Sequence, residues 1–267
     1  MTFRTFITLT LLTVGTSASG QYLNLHYVDG IFKDGATEYH SVHKFGRVQN
    51  IQNDEAPIDL ISWGVVYAGF IAAADTIIVV SDAAADSIGS TGALTVNVVG
   101  LNAAGYEIQQ TCIMTGRTND TLAVNMFRAY RAWVVTAGSG ETNAGNITVK
   151  TDAGVILAQI PAGLGQTLQT VYTIPNDYEK ALLAGFDTTA EKKNASEVLF
   201  YLQIRPSGGA WRTIETWGAE TSTELHFDSE HHVPVFLEPL TDIRMRIQSV
   251  SADDTDVSGT FELWLIR

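Results

Sequence analysis

Val198-Leu199-Phe200-Tyr201-Leu202-Gln203-Ile204-Arg205, then Pro206-Ser207-Gly208-Gly209, then Ala210 to Trp217, decide how this chain is read. Val198, Phe200, Leu202 and Ile204 alternate with Leu199, Tyr201, Gln203 and Arg205. Side chains of a strand point to opposite faces in turn, so this spacing buries one face and exposes the other. The Pro-Ser-Gly-Gly run is turn chemistry, and the chain returns as a second strand.

The same grammar runs outward in both directions. Strands are expected at Thr76–Val80, Ala93–Val99, Tyr106–Met114, Met126–Thr136, Asn146–Lys150, Val155–Ile160 and Leu168–Ile174. Thr151-Asp152-Ala153-Gly154 joins two of them as a hairpin turn. Ile243, Met245 and Ile247 alternate with Arg244, Arg246 and Gln248, and Phe261, Leu263 and Leu265 alternate with Glu262, Trp264 and Ile266. Asp253 to Asp256 reads as a turn that makes these last two strands hairpin neighbours. Around a dozen strands with turns every ~8–12 residues predict an all-β chain, an antiparallel β-sandwich or jelly roll.

Composition agrees. Hydrophobic residues make up 45% of the 267 and charged ones only 17%, which suits a large buried core and excludes disorder. The formal net charge of −13 repels phosphates, so no nucleic-acid partner is expected. Cys112 is the single cysteine, so neither an internal disulfide nor a cysteine-based zinc site can form. It falls in an alternating run and reads as a buried thiol.

Residues 1–56 differ from residues 57–267: their hydrophobic periodicity is weak, and they read as an N-terminal arm or irregular lead-in to the sandwich. Met1 to Gln21 has the features of a secretory signal, with Arg4, an apolar run from Phe6 and the small residues Ser17-Ala18-Ser19. Thr8, Thr10 and Thr13 interleave with Ile7, Leu9 and Leu12, and this favours an extended arm, with Phe6, Ile7, Leu9 and Leu11 as its contact residues. The run is too short and too rich in Thr for a membrane span, so no membrane partner is expected. A subdivision of the sandwich falls near Pro161, where Ala162-Gly163-Leu164-Gly165 breaks the pattern.

Chemistry-bearing motifs are sparse. Gly163-Leu164-Gly165 lacks the third glycine and the helix of a phosphate loop. His226, Asp228 and Glu230 would share one strand face, a donor set that suits zinc or manganese, but no second ligand cluster accompanies them. Asp253-Asp254-Thr255-Asp256 lacks the glycine and terminal Glu of a calcium loop. Trp211, Trp217 and Tyr201 lie near one hairpin, where they would either form a sugar-binding platform or pack in the core. No catalytic, cofactor-binding or metal-binding residue is assigned, and no cofactor is expected.

A family resemblance adds to this. It lies in Gly100-Leu101-Asn102-Ala103-Ala104-Gly105-Tyr106-Glu107, Thr115-Gly116-Arg117-Thr118, Phe127 to Val134, Ala137 to Ile147, Ala158 to Gly163 and Tyr172-Thr173-Ile174-Pro175. This order of turns and strand faces, over roughly residues 60 to 267, resembles virion structural proteins of tailed bacteriophages, many of them marine. The resemblance implies a non-enzymatic head or fibre component. The expectation is a capsid decoration or cement protein, made in the host cytoplasm and placed on the capsid surface. Its partner would be the major capsid protein, and it would form a homo-oligomer, for which a trimer on local threefold axes is one arrangement. Arg244 and Arg246, expected to face outward, would join the arm in that contact. Two alternatives stand beside it: a receptor- or glycan-binding fibre or spike module, and a secreted β-sandwich hydrolase cleaved after about Ser19.

Overall fold

The computed structural model describes residues 39–191, 196–221 and 226–267, with backbone alone for 226–234. The arm expected at the N-terminus, with Phe6, Ile7, Leu9 and Leu11, lies outside the described residues. Among the described residues sixteen strands follow one another: β1 (Tyr39–Ile51), β2 (Ile58–Asp59), β3 (Ile77–Ser81), β4 (Ala93–Asn102), β5 (Glu107–Ile113), β6 (Asp120–Thr121), β7 (Met126–Ala137), β8 (Ile147–Thr151), β9 (Ile156–Ile160), β10 (Val171–Thr173), β11 (Lys180–Glu191), β12 (Glu197–Arg205), β13 (Arg212–Glu220), β14 (His226–Leu237), β15 (Asp242–Val250) and β16 (Thr255–Ile266). The chain is all-β, as its periodicity predicts.

The strands build two sandwiches, one nested in the other. One sheet runs β1-β16-β11-β14 and a second runs β10-β15-β12-β13, with β2 also on β15. Leaving β2 aside and numbering these strands one to eight along the chain, the sheets read 1-8-3-6 and 2-7-4-5. The antiparallel pairs are first with last, second with seventh, third with sixth and fourth with fifth. That winding is the jelly roll. Its core includes Tyr172, Phe200, Met245 and Phe261. The other sandwich occupies the connection between β2 and β10. Its sheets run β6-β3-β8-β9 and β5-β4-β7, around a core of its own that includes Ile77, Val96, Met126, Ile147 and Leu157. The break near Pro161 therefore marks the return of the chain from the inserted sandwich to the jelly roll, not a division into front and rear halves.

Residues 39–56 are not an irregular lead-in. β1 pairs with β16 along most of its length, and Val48 and Ile51 enter the jelly-roll core. Its alternation is diluted because two inward positions are Lys44 and Gly46. A Cβ on Gly46 would stand 2.4 Å from the carbonyl oxygen of Leu60, so the close approach of that segment requires glycine.

β15 and β16 are not hairpin neighbours. They lie in opposite sheets, and 251–254 arches between them. Their apolar faces still meet in one core: Ile243, Met245, Ile247, Phe261, Leu263 and Leu265 are all fully buried. The two long strands diverge because each finds a partner already wound beside it, β12 for β15 and β11 for β16. Asp256 at the end of the arch accepts hydrogen bonds from the Asn50 backbone N–H (2.8 Å) and from Arg47 (3.2 Å). It thereby ties the arch to β1.

Loops of the inserted sandwich are clamped by a carboxylate. Asp86 is fully buried and accepts from Ser81 Oγ and the backbone N–H groups of Ala93, Ala144 and Gly145 at 2.6–2.9 Å. A Cβ on Gly145 would come within 2.0 Å of the neighbouring Asp82 carboxylate, so the 137–146 loop closes on glycine.

Candidate functional site

The contact between the sandwiches is built from charged and aromatic side chains. Arg128 on β7 reaches out of the inserted sandwich to Asp242 at the start of β15, donating from Nε (3.1 Å) and Nη2 (3.0 and 3.2 Å). Its Nη1 donates to the carbonyls of Ile71 (2.6 Å) and Phe127 (2.7 Å). Arg205 on β12 donates to the same carboxylate at 2.6 and 3.0 Å, and Thr173 adds a hydroxyl at 2.6 Å. Two guanidinium groups and one hydroxyl thus satisfy one buried carboxylate, and fixed geometry of this kind makes a buried ion pair tolerable.

Arg244 belongs to this inner network and not to the surface. It is 6% exposed, donates to Asp59 (3.3 Å) and Gln203 (3.0 Å), and lies 4.0 Å from the centre of the Trp211 ring. The expectation that it faces outward is corrected. The first sheet covers one side of β15, and the 58–67 segment, through Asp59, covers the other. Arg246 is half-buried, with Asp59 opposite it in the β2–β15 pairing.

The three aromatics expected to form a platform do not share a face. Trp217 is in the core, stacked on Phe200 (5.5 Å, 12° between planes), and its Nε1 donates to Thr188 Oγ1 (2.7 Å). Trp211 packs on Phe70, Arg205 and Arg244, while Tyr201 is half-buried on β12. Cys112 is 1% exposed and donates to Asp120 (2.9 Å); burial, and then that carboxylate, push its thiol well above the usual range. His226, Asp228 and Glu230 pair with Thr189, Asp187 and Gly185 of β11, and alternation puts the three at same-face positions of β14. Their side chains lie outside the described residues. Among the described residues no group of three or more His, Cys, Asp or Glu is placed to hold a metal.

The candidate site is a cleft of about 560 Å³ where β1 meets the inserted sandwich. Lys44, Arg131, Trp133, Glu107, Tyr130 and Tyr172 line it, with His40, Ser41, His43 and Gln166 also on its wall. Among the described residues β1 is the edge strand of its sheet, and the cleft lies along it. Lys44 takes an inward position between Val42 and Gly46 and is 5% exposed. Its ammonium donates to the backbone carbonyl of Tyr130. Burial, and then the neighbouring Arg131, lower its pKa from 10.5 to about 7, against the opposing pull of Glu107. Tyr130 and Tyr172 pack at 4.5 Å between ring centres, and both donate to Glu107, Tyr172 at 3.4 Å. Burial raises both phenols well above their ordinary range, followed by Tyr172 and the Glu107 charge for Tyr130, and by the Glu107 charge, against the hydrogen bond with Tyr130, for Tyr172, so both stay protonated as donors. The weak periodicity of residues 39–51 conceals Lys44. The signal that reveals it is a lysine at the parity of Val42 and Val48.

No family model matches the chain, and no curated protein matches it. Among solved structures, a chain of infectious bursal disease virus, Gt strain, aligns over 86% of this chain and 72% of its own, with 12% identity and a TM-score of 0.25. T=1 particles derived from the same virus give 10% identity, 86% and 69% coverage and a TM-score of 0.24. The VP2 subviral particle gives 11%, 86%, 72% and 0.22. These are likenesses to virus particle proteins, and at TM-scores this low they carry no argument about what the chain does.

Proposed function

We propose that this protein is a non-enzymatic structural component of a virus particle, a decoration or cement protein seated on the major coat lattice. The observation that carries the reading is the jelly-roll strand order, 1-8-3-6 against 2-7-4-5. Capsid proteins use this fold repeatedly, although lectins and cupins share it, so the fold alone does not decide the role. The order of turns and strand faces over roughly residues 60 to 267 resembles virion proteins of tailed phages and supports the same reading.

Two features fit such a role. The most deeply buried carboxylates, Asp59, Asp86 and Asp242, are spent on backbone N–H groups, hydroxyls and arginines that hold loops and sandwiches together. The outer face of the first sheet also carries Trp264 and Phe236 on either side of the buried Leu182, with Tyr39 beside Trp264 at 6.0 Å. Phe236 is 50% exposed and Tyr39 55%. A face of this kind suits a contact with a neighbouring subunit, where many modest contacts add through avidity. The test is the copy number of the protein in purified particles, measured by quantitative mass spectrometry. A decoration protein is expected at on the order of hundreds of copies. A handful of copies, or none, overturns the reading.

A further inference from the structure

We infer that the cleft beside β1 is a binding site for a carboxylate-bearing sugar. The inference goes beyond the particle role and does not depend on it. A sugar site was one expectation from sequence, placed on Trp211, Trp217 and Tyr201; the geometry places it instead beside β1.

Three observations carry it. First, Lys44 is almost wholly buried yet lines the cleft, and its only acceptor among the described residues is the Tyr130 carbonyl. An ammonium has three donors, so two are left for a ligand oxygen. Second, Arg131 stands beside it with its guanidinium 5.9 Å from the ring centres of both Phe45 and Trp133, and no carboxylate pairs with it among the described residues. The one carboxylate on the wall, Glu107, already receives Tyr130 and Tyr172. With Lys44 protonated, Lys44 and Arg131 against Glu107 leave the cleft one net positive charge, a local attraction for a small anion that works against the chain's overall charge of −13. Third, the half-buried Trp133 presents an aromatic ring to the wall, with the buried Tyr130 and Tyr172 behind it, and His40, Ser41, His43 and Gln166 complete the lining. An aromatic surface takes the C–H face of a sugar ring, and the imidazole, hydroxyl and amide groups match its hydroxyls. A bare anion or an aromatic acid would leave those groups without partners.

The charge state of Lys44 ties binding to pH. The charged and titratable groups facing it are His40 and His43 on β1, Arg131 and Tyr130 on β7, Glu107 on β5 and Tyr172 on β10. With its amine at about pKa 7, Lys44 carries its proton at about pH 6 and has mostly lost it at about pH 8.5. A carboxylate favours the protonated form, so affinity falls as pH rises through that range.

The test is calorimetric titration of D-glucuronate into the full chain at about pH 6 and about pH 8.5, with D-glucose and inorganic phosphate as comparators. Saturable glucuronate binding at the lower pH, weakened about 10–30-fold at the higher, is expected. Glucose and phosphate should each bind at least about tenfold more weakly. Lys44→Met and Arg131→Gln should each remove at least about tenfold in affinity, with circular dichroism and the urea midpoint showing that the fold is kept. Absence of glucuronate binding, equal binding of glucose, or undiminished binding by folded Lys44→Met overturns the proposal. Phosphate binding as tight as glucuronate overturns its sugar component.

Discussion

Lys44→Met isolates the cost of placing an amine inside the jelly roll. Burial holds this amine at about pKa 7, against 10.5 for an ordinary lysine. At about 1.4 kcal/mol per pH unit, bringing the charged form to that site costs the folded state about 5 kcal/mol as an upper bound. Water in the cleft brings this to about 2–4 kcal/mol. Below about pH 7 the folded and unfolded chains both carry the proton, and the whole penalty is present. Between about 7 and 10.5 the unfolded chain binds a proton that the folded chain lacks, so stability rises with pH. Above 10.5 neither form is charged and the penalty is gone. Methionine has nearly the same length and no charge. It also leaves the Tyr130 carbonyl without its donor, a loss of about 1–3 kcal/mol that hardly varies with pH. The advantage of the variant over the parent should therefore shrink by about 2–4 kcal/mol between about pH 6 and about pH 10. Urea unfolding followed by tryptophan fluorescence across that range measures it, and the other titrating groups cancel in the difference. Parallel stability curves for the two proteins would refute the reasoning.

Asp242→Asn should destabilise the chain by about 3–5 kcal/mol in urea, because Arg128 and Arg205 lose their shared counter-ion. Arg244→Ala should cost a similar amount by leaving the buried Asp59 without its ion-pair partner, whereas an arginine on an open surface would cost about 0.5 kcal/mol or less. Phe261→Ala should cost about 3–5 kcal/mol, since the ring is fully buried between the sheets; a melting temperature unchanged from the parent would contradict its place in the core. Cys112 should react with a thiol reagent at least about a hundredfold more slowly in the native chain than in urea, because burial and Asp120 both oppose the thiolate.

Strands whose alternation is unbroken were legible in the sequence, and Val198–Arg205, Ile243–Ile247 and Phe261–Leu265 bury the faces their spacing predicts. β11 was not legible, and a bulge explains why. Its inward residues are Ala181 and Leu183 before the register shift between Leu183 and Gly185, then Phe186 and Ala190 after it, so parity switches in mid-strand. Pairing across the sandwich is invisible to local periodicity: Ile243–Ile247 and Phe261–Leu265 look like a hairpin, but each strand is paired elsewhere. The same limit hid the cleft. Lys44, Glu107, Arg131 and Tyr172 come from four strands of two sandwiches, and only the nesting of one inside the other brings them together. Arg244 was misplaced because alternation distinguishes two faces of a strand but does not say whether the second face meets solvent or, as here, the 58–67 segment.

A cryo-electron microscopy map of the purified particle tests the central claim most directly. The account predicts a two-sandwich density, jelly roll with inserted sandwich, repeated over the coat lattice, with the outer face of the first sheet (Trp264, Phe236) against a neighbouring subunit. Density for the chain at a fibre or tail tip alone, or a particle complete without it, would contradict the account.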